Sequence, residues 1–392
     1  MKKKIAILGS TGSIGKTLIN IIKQDKKNFE IILLSAKENY KELLKQSKLL
    51  RVKNLIITNR ESFIKIKKSS YSKKIKIFNS FEEYKKIFKT KVDYTMSSIT
   101  GIEGLEPTLK IIKHSKKIAI ANKESIICGW GLIKKELKKN KTEFIPVDSE
   151  HFSLWYGLRN IDTNIIEKIY LTASGGPFFL TPLKKIKRAN IKEALKHPNW
   201  KMGNKISIDS ATMINKIYEV IEAKNIFDIP YKKISILIHP KSYIHAIIKS
   251  HNGLIKIIAH DTTMKIPIFN TLFLNSKKKI KSKKVKIKLL NNLNFNKVDL
   301  KRYPMIKILN YLPKNHSLYE TILVSANDAL VDLFLKKQIK FTDIHLKLFK
   351  FIKNKEFLKY KKIYPQKLKD ILELNNYVRS KINKKVYKSI DV

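Results

Sequence analysis

ILGSTGSIGKT, residues 7–17, closes a short apolar run and opens a helical one, and its glycines admit two readings. The tail Gly15-Lys16-Thr17 has the form of a P-loop ending, whereas glycines at 9, 12 and 15 have the form of a dinucleotide turn. Spacing separates them. A P-loop needs Gly, four residues, then Gly-Lys-Ser/Thr. Counting back from Gly15, that first glycine falls on Ser10. What remains is Gly-x-x-Gly-x-x-Gly between strand and helix, a variant of the dinucleotide turn. Glycine lets the backbone approach a pyrophosphate, and the helix N-terminus offers it unpaired N–H groups. A glycine-rich turn that binds nothing is the alternative.

Outward from this turn, strand-like runs at 4–9, 30–35, 54–58, 92–98, 117–121 and 143–147 alternate with helical stretches, the first at 12–24. This α/β pattern predicts a Rossmann-like, doubly wound parallel sheet over residues 1–147. Runs at 168–173, 234–239 and 244–248, with a helix over 211–224, predict a central α/β domain over 148–274. The lysine-loaded stretch 275–299 reads as a linker or an exposed strand. Helical spacing from 300 to 392 predicts a small α-helical C-terminal domain.

A length of 392 residues suits two or three domains. No apolar run is long enough to cross a bilayer, and Ile5–Leu8 is too short for a signal-peptide core. A single cysteine, Cys128, excludes an internal disulfide and a cysteine-based zinc site. These features predict a cytoplasmic protein with no membrane partner. The net charge of +50 rests almost wholly on lysine, with only six arginines. Readers of nucleic acid favour arginine for its bidentate fork. Lysine is spread along the chain beside abundant Ile and Asn, which suggests an A/T-rich coding preference and a solvated surface. No nucleic-acid partner is therefore expected, although the charge can steer an anionic substrate.

Three further stretches carry chemistry. The second strand ends Ser35-Ala36-Lys37, where NAD-binding domains usually have an acid; lysine there favours a 2′-phosphate and so NADP, with Glu38 opposing. In PVDSEH, residues 146–151, extended chain would turn Asp148 and Glu150 to one face, as ligands for a hard cation such as Mg2+ or Mn2+. A solvated acidic pair is the alternative. In LTASGGPF, residues 171–178, Ser174-Gly175-Gly176 can present a hydroxyl and N–H groups to an anion. In ISIDSATMINKIYEVIEA, residues 206–223, a helix begins near Ser210 and aligns Asn215 with Glu219, Lys216 beside them. An ordinary amphipathic helix explains that spacing equally well.

Together these motifs closely resemble the 1-deoxy-D-xylulose 5-phosphate reductoisomerase family. The resemblance runs in order through ILGSTGSIG (7–15), ANKES (121–125), PVDSEH, LTASGGPF, HPNWKMG (197–203), ISIDSATMINK (206–216), IEA (221–223) and IHPKSYIH (238–245), with a weaker echo at 325–343. It implies rearrangement and NADPH-dependent reduction of 1-deoxy-D-xylulose 5-phosphate to 2-C-methyl-D-erythritol 4-phosphate, in non-mevalonate isoprenoid synthesis, with a divalent metal. It implies NADPH contacts from Thr11, Gly12, Ser13, Ile14, Ala36, Lys37, Asn39, Asn122, Glu124 and Gly203. Asp148, Glu150 and Glu219 would hold the metal. Lys123, Ser149, Glu150, Ser174, His197, Ser210, Asn215, Lys216 and Glu219 would contact the sugar phosphate, with Trp200 on a closing flap. Lys123, Glu150 and His197 would be catalytic. A homodimer is implied as well.

The sequence departs from the family pattern at three places. Ala36-Lys37-Glu38-Asn39 stands near a usual Gly-Lys-Asn. Ile217-Tyr218 replaces Gly-Leu, where a larger side chain could crowd the phosphate. Thr263-Met264-Lys265 replaces Asp-Met-Arg. Two rivals stay open: an NADP-dependent oxidoreductase without skeletal rearrangement, and a nucleic-acid-binding protein prompted by the charge.

Overall fold

The structure is a computed structural model that describes residues 1–69, 73–200, 202–274 and 276–387. The chain forms two compact units that are not consecutive in sequence. The first comprises Met1–Ser125, Leu132–Phe152 and Thr263–Lys281; the second comprises Ile126–Gly131, Ser153–Thr262 and Ser282–Val392.

The first unit is built on seven parallel strands. They are β1 (Lys3–Leu8), β2 (Phe29–Ala36), β3 (Asn54–Ile57), β4 (Lys76–Phe78), β5 (Tyr94–Ser97), β6 (Lys117–Ile120) and β7 (Glu143–Pro146). Their order is β4-β3-β2-β1-β5-β6-β7, so the winding reverses between β1 and β5. A sheet covered on both faces needs continuous apolar strands rather than alternating ones, and Ile5, Ala6, Ile7 and Leu8 are all fully buried. The expected doubly wound sheet is therefore present. Of these seven, β4 alone escapes the sequence reading, because its three residues, Lys76-Ile77-Phe78, are too few to show a period.

The glycine turn sits where the winding reverses, the place where doubly wound sheets bind ligands. Gly9 has φ +75°, and a Cβ there would lie 2.7 Å from the carbonyl oxygen of Ser98, just beyond β5. The next helix, Ser13–Lys23, begins at Gly12 without a side-chain cap or a first-turn acid.

The second unit holds a four-stranded sheet of order β11-β10-β8-β9, made from β8 (Ile166–Ala173), β9 (Ile234–Ile238), β10 (Ile244–Ser250) and β11 (Ile255–Ala259). β8 and β9 are parallel, while β10 runs antiparallel to β8 and β11. Its core packs Ile169, Leu171 and Ile248 against Val220 and Ala223 of the helix Ile214–Phe227. The helices Leu318–Leu335, Phe341–Ile352 and Leu368–Tyr387 supply the expected helical C-terminal part.

Two local expectations need correction. The helix expected over 211–224 is two helices, Asn204–Thr212 and Ile214–Phe227, broken at Met213 with φ +65°. A methionine gives no sequence signal for a left-handed turn, since only Gly, Asn and Asp visit that region readily. Residues 277–286 form no strand and lead into the short helix Ile287–Leu290. Their lysines have the alternation of a strand but no apolar face to bury.

Candidate active site

In the first unit, strand ends deliver the side chains. The turn after β1 is tied to the end of β2: Ser10 N–H donates to Ser35 O at 2.8 Å, and Gly9 N–H donates to Ser35 Oγ at 3.1 Å. Thr11 and Ile14 are half-buried, whereas Gly12 and Ser13 are exposed. Ala36 is the buried last residue of β2. Lys37 pairs with Glu103 at 2.9 Å, both side chains well exposed. Such pairs are weak and exchange readily, so this partner does not commit Lys37. Asn39 accepts from Glu42 N–H and caps the helix Tyr40–Leu50.

After β6, Asn122 caps the helix Lys123–Asn140. Its Oδ1 accepts from Ser125 N–H at 2.9 Å. Its amide donates to Gly101 O at 2.8 Å and also to Ile99 O. Glu124 is buried in the same first turn. Lys123, only 7% exposed, reaches Asp148 Oδ2 at 2.8 Å. Burial pulls the Asp148 carboxyl upward, but the Lys123 ammonium, with His151, outweighs it and holds the carboxyl well below its usual range. Ser149 Oγ donates to Glu150 Oε2 at 2.7 Å.

The extended geometry expected for Asp148 and Glu150 is wrong. A helix, Ser149–Gly157, starts directly after β7, and the Asp148 carbonyl accepts its first bond, from Phe152 N–H at 2.7 Å. The two carboxylates therefore stand at a helix N-terminus, where the dipole favours negative charge. The same misplacement hid His151, 3.7 Å from Asp148. The i, i+3 spacing of Asp148 and His151 would have revealed it had the helix start been recognised.

In the second unit, Ser174 follows β8. Its Oγ accepts from Gly176 N–H at 3.0 Å and meets His197 Nε2 at 3.1 Å. His197 Nδ1 accepts from the N–H groups of Asn199 and Trp200 at 3.1 and 3.0 Å. A neutral ring that accepts on Nδ1 carries its proton on Nε2, so His197 donates to Ser174. Asn199 in turn donates to Pro240 O and Ser242 Oγ, at 2.6 and 2.8 Å, and anchors the loop that carries Trp200. The Trp200 ring lies edge-on to His245, centroids 6.4 Å apart. Gly176 has φ +65°, and a Cβ there would come within 2.9 Å of Ser210 O. That close approach brings the Ser174 turn against Ser210.

Gly203 precedes the helix Asn204–Thr212, with open space where a side chain would be. Across the Met213 break, Asn215 and Lys216 both donate to Glu219, and Lys216 also donates to Thr172 O. Lys216 and Glu219 are nearly inaccessible, at 4% and 1%. Burying a charge is tolerated when it is paired and hydrogen-bonded, and this trio meets that condition. Ile217 is fully buried, in the helix's core face.

With this geometry in place, the comparisons with known proteins are direct. The 1-deoxy-D-xylulose 5-phosphate reductoisomerase pattern matches residues 5–130, its C-terminal domain pattern matches 144–227, and a further DXP reductoisomerase C-terminal domain matches 261–381. The reductoisomerase of Pelagibacter ubique is 58% identical over 383 residues, 97% of this chain and 99% of that one. The chain belongs to the 1-deoxy-D-xylulose 5-phosphate reductoisomerase family. The reductoisomerase of Clostridium kluyveri is 37% identical over 87% of this chain and 90% of its own. Among solved reductoisomerases, that of Zymomonas mobilis in complex with NADPH superposes with TM-score 0.87 at 29% identity, covering 98% of this chain and 99% of that one. A reductoisomerase in complex with NADPH, fosmidomycin and magnesium superposes with TM-score 0.89 at 29% identity, covering 98% of each chain.

Proposed function

We propose, as the reading these observations support best, that the chain performs its family's reaction. It is an NADPH- and divalent-metal-dependent oxidoreductase that rearranges and reduces 1-deoxy-D-xylulose 5-phosphate to 2-C-methyl-D-erythritol 4-phosphate in isoprenoid synthesis. The near-full-length match at 58% identity carries this conclusion.

The residue roles are our assignment. Thr11, Gly12, Ser13 and Ile14 take the NADPH pyrophosphate side, and Ala36, Lys37 and Asn39 take the adenosine phosphate. Asn122, Glu124 and Gly203 complete the cofactor contacts. Asp148, Glu150 and Glu219 hold Mg2+ or Mn2+. The donor set fits a hard cation, since all three are carboxylates and hard cations take oxygen ligands. Asp148 and Glu219 each already balance a buried ammonium, Lys123 and Lys216 respectively. NADPH supplies the hydride and the cation, when bound, supplies Lewis-acid polarisation.

The chain's own groups do the rest. Lys123 and Glu150 handle protons at the reacting oxygens. The Nε2–H of His197 and the Ser174 hydroxyl form one hydrogen-bonding pair for the substrate. Ser149, Ser210, Asn215 and Lys216 orient the sugar phosphate, so remote binding energy serves positioning. Trp200 covers the site and excludes water. By segment, residues 1–147 bind NADPH, 148–274 bind metal and substrate, 275–299 link, and 300–392 form the helical domain. The protein works as a cytoplasmic homodimer. Its single cysteine, Cys128, is buried and forms no disulfide, which suits a reducing compartment. Edge strand β11 exposes Ile255 and Ile257 at 57 and 54%, and Leu254 just before it is 68% exposed, an apolar edge that a second copy would cover.

The test is NADPH oxidation on adding 1-deoxy-D-xylulose 5-phosphate, with and without Mg2+ or Mn2+, in wild type and Glu219→Gln. Turnover should need substrate and metal, and kcat/KM should fall roughly 100-fold or more in the variant, the equivalent of about 3 kcal/mol. Metal-independent turnover in wild type would instead support the oxidoreductase without rearrangement.

A further inference from the structure

Away from these groups, the second unit has a groove of about 1060 Å3 between the segment 187–196 and the end of the helix Leu318–Leu335. Its floor is apolar: Phe334 and Ile339 are buried, Ile191 and Leu195 half-buried. Its rim carries Lys187, Arg188, Lys192, Lys196, Lys337 and Lys340, all exposed. Six of twelve lining residues are cationic and none is acidic. Across the chain 82 of 392 residues are cationic, so the general lysine excess accounts for only two or three of these six. The one acid on the segment, Glu193, is committed elsewhere: it accepts from Asn190 N–H at 2.9 Å in a capping box. Among the described residues, none of the six cations has an ion-pair partner.

A ring of like charges repels itself, and an anion relieves that repulsion. The apolar floor adds a second requirement, a hydrocarbon body. A cationic rim around an apolar floor is complementary to one molecule that carries both an anionic head and a hydrocarbon body. We propose that this groove binds a small amphiphilic anion, its hydrocarbon part on the floor and its phosphate-type head held by the rim. The wall ends at Lys196, next to His197, so the site borders the catalytic loop without sharing a residue with it.

The test is calorimetric titration of the full chain with decyl phosphate, butyl phosphate, inorganic phosphate and the uncharged decyl maltoside. Decyl phosphate should bind saturably, at least tenfold tighter than butyl phosphate, because each buried methylene contributes about 0.8 kcal/mol. Inorganic phosphate and decyl maltoside should each bind at least tenfold more weakly than decyl phosphate. Combined Arg188→Gln, Lys192→Gln and Lys337→Gln, all exposed positions, should weaken decyl phosphate about tenfold and leave kcat unchanged. Equal binding of inorganic phosphate or of decyl maltoside would overturn the proposal. So would decyl phosphate binding that the triple variant leaves intact, since its seat would then be elsewhere, such as the substrate site.

Discussion

His197 links acid–base chemistry to loop shape. Burial holds its imidazole at about 4, below the ordinary 6.5. An unfolded chain takes up the proton near 6.5, the folded one only near 4. The stabilising contribution of His197 is therefore complete above 6.5 and is lost as pH falls from there through 4. Protonation also removes the Nδ1 lone pair that receives Asn199 and Trp200. We expect NMR of the free protein to place the His197 titration near pH 4, with the Trp200 signals shifting at the same midpoint; a midpoint at 6.5 would remove the buried neutral state from the mechanism. Gly176 makes a separate prediction. Gly176→Ala combines a positive φ with a Cβ 2.9 Å from a backbone carbonyl that cannot yield cheaply. It should cost about 1–3 kcal/mol of stability and raise KM for the sugar phosphate several-fold, read by thermal melts and steady-state kinetics. At this scale most chemistry-bearing letters were legible as motifs. The roles of His151 and Asn199, which lie inside PVDSEH and HPNWKMG, were not, because they depend on where a helix starts and where a loop lands.

Helix starts at strand ends are the elements that build the site. Asn122 is the clearest case: one side chain caps the helix carrying Lys123 and staples it to the loop at 99–101. Asn122→Ala removes the cap, worth about 1 kcal/mol, and leaves the Ile99 and Gly101 carbonyls without this donor. We expect a loss of roughly 1–3 kcal/mol in denaturant unfolding and a kcat lower by an order of magnitude. Asn122→Ser or Asn122→Asp, which can still cap, should recover part of the stability but little of the activity. Recovery of both would reduce Asn122 to a cap. Most strands were readable as elements, since apolar runs of a covered sheet need no partner to be recognised; the short β4 and the exposed edge strand β11 were not. The Met213 break was not, because the residue has no turn propensity and its left-handed geometry is imposed by packing around two helices.

For the molecule as a whole, the charge and the exposed edge make the useful predictions. Ile255 and Ile257 stand on the rim of a four-stranded sheet, and both are more than half exposed. Ile255→Lys with Ile257→Lys places charge where a second copy would pack, a device that sheet proteins use against edge pairing. In light-scattering chromatography wild type should run as a dimer and the double variant as a folded monomer. A wild-type monomer would remove the homodimer from this reading. The fold class was legible at this scale because strand and helix alternation runs through the first 147 residues. The assembly of the compact units was not: Thr263–Lys281 joins the first unit although it is more than 100 residues past the rest of it.

Sequence alone determined the doubly wound sheet, the choice of a dinucleotide turn over a P-loop, and the family. Those depend on local period and on glycine spacing, which are written along one stretch of chain. Tertiary structure alone decided that Asp148 and Glu150 stand at a helix N-terminus, that Lys123 and Lys216 are buried against carboxylates, and that His197 is neutral. Burial sets the cost of a charge, and burial is a property of what the rest of the chain packs around a residue.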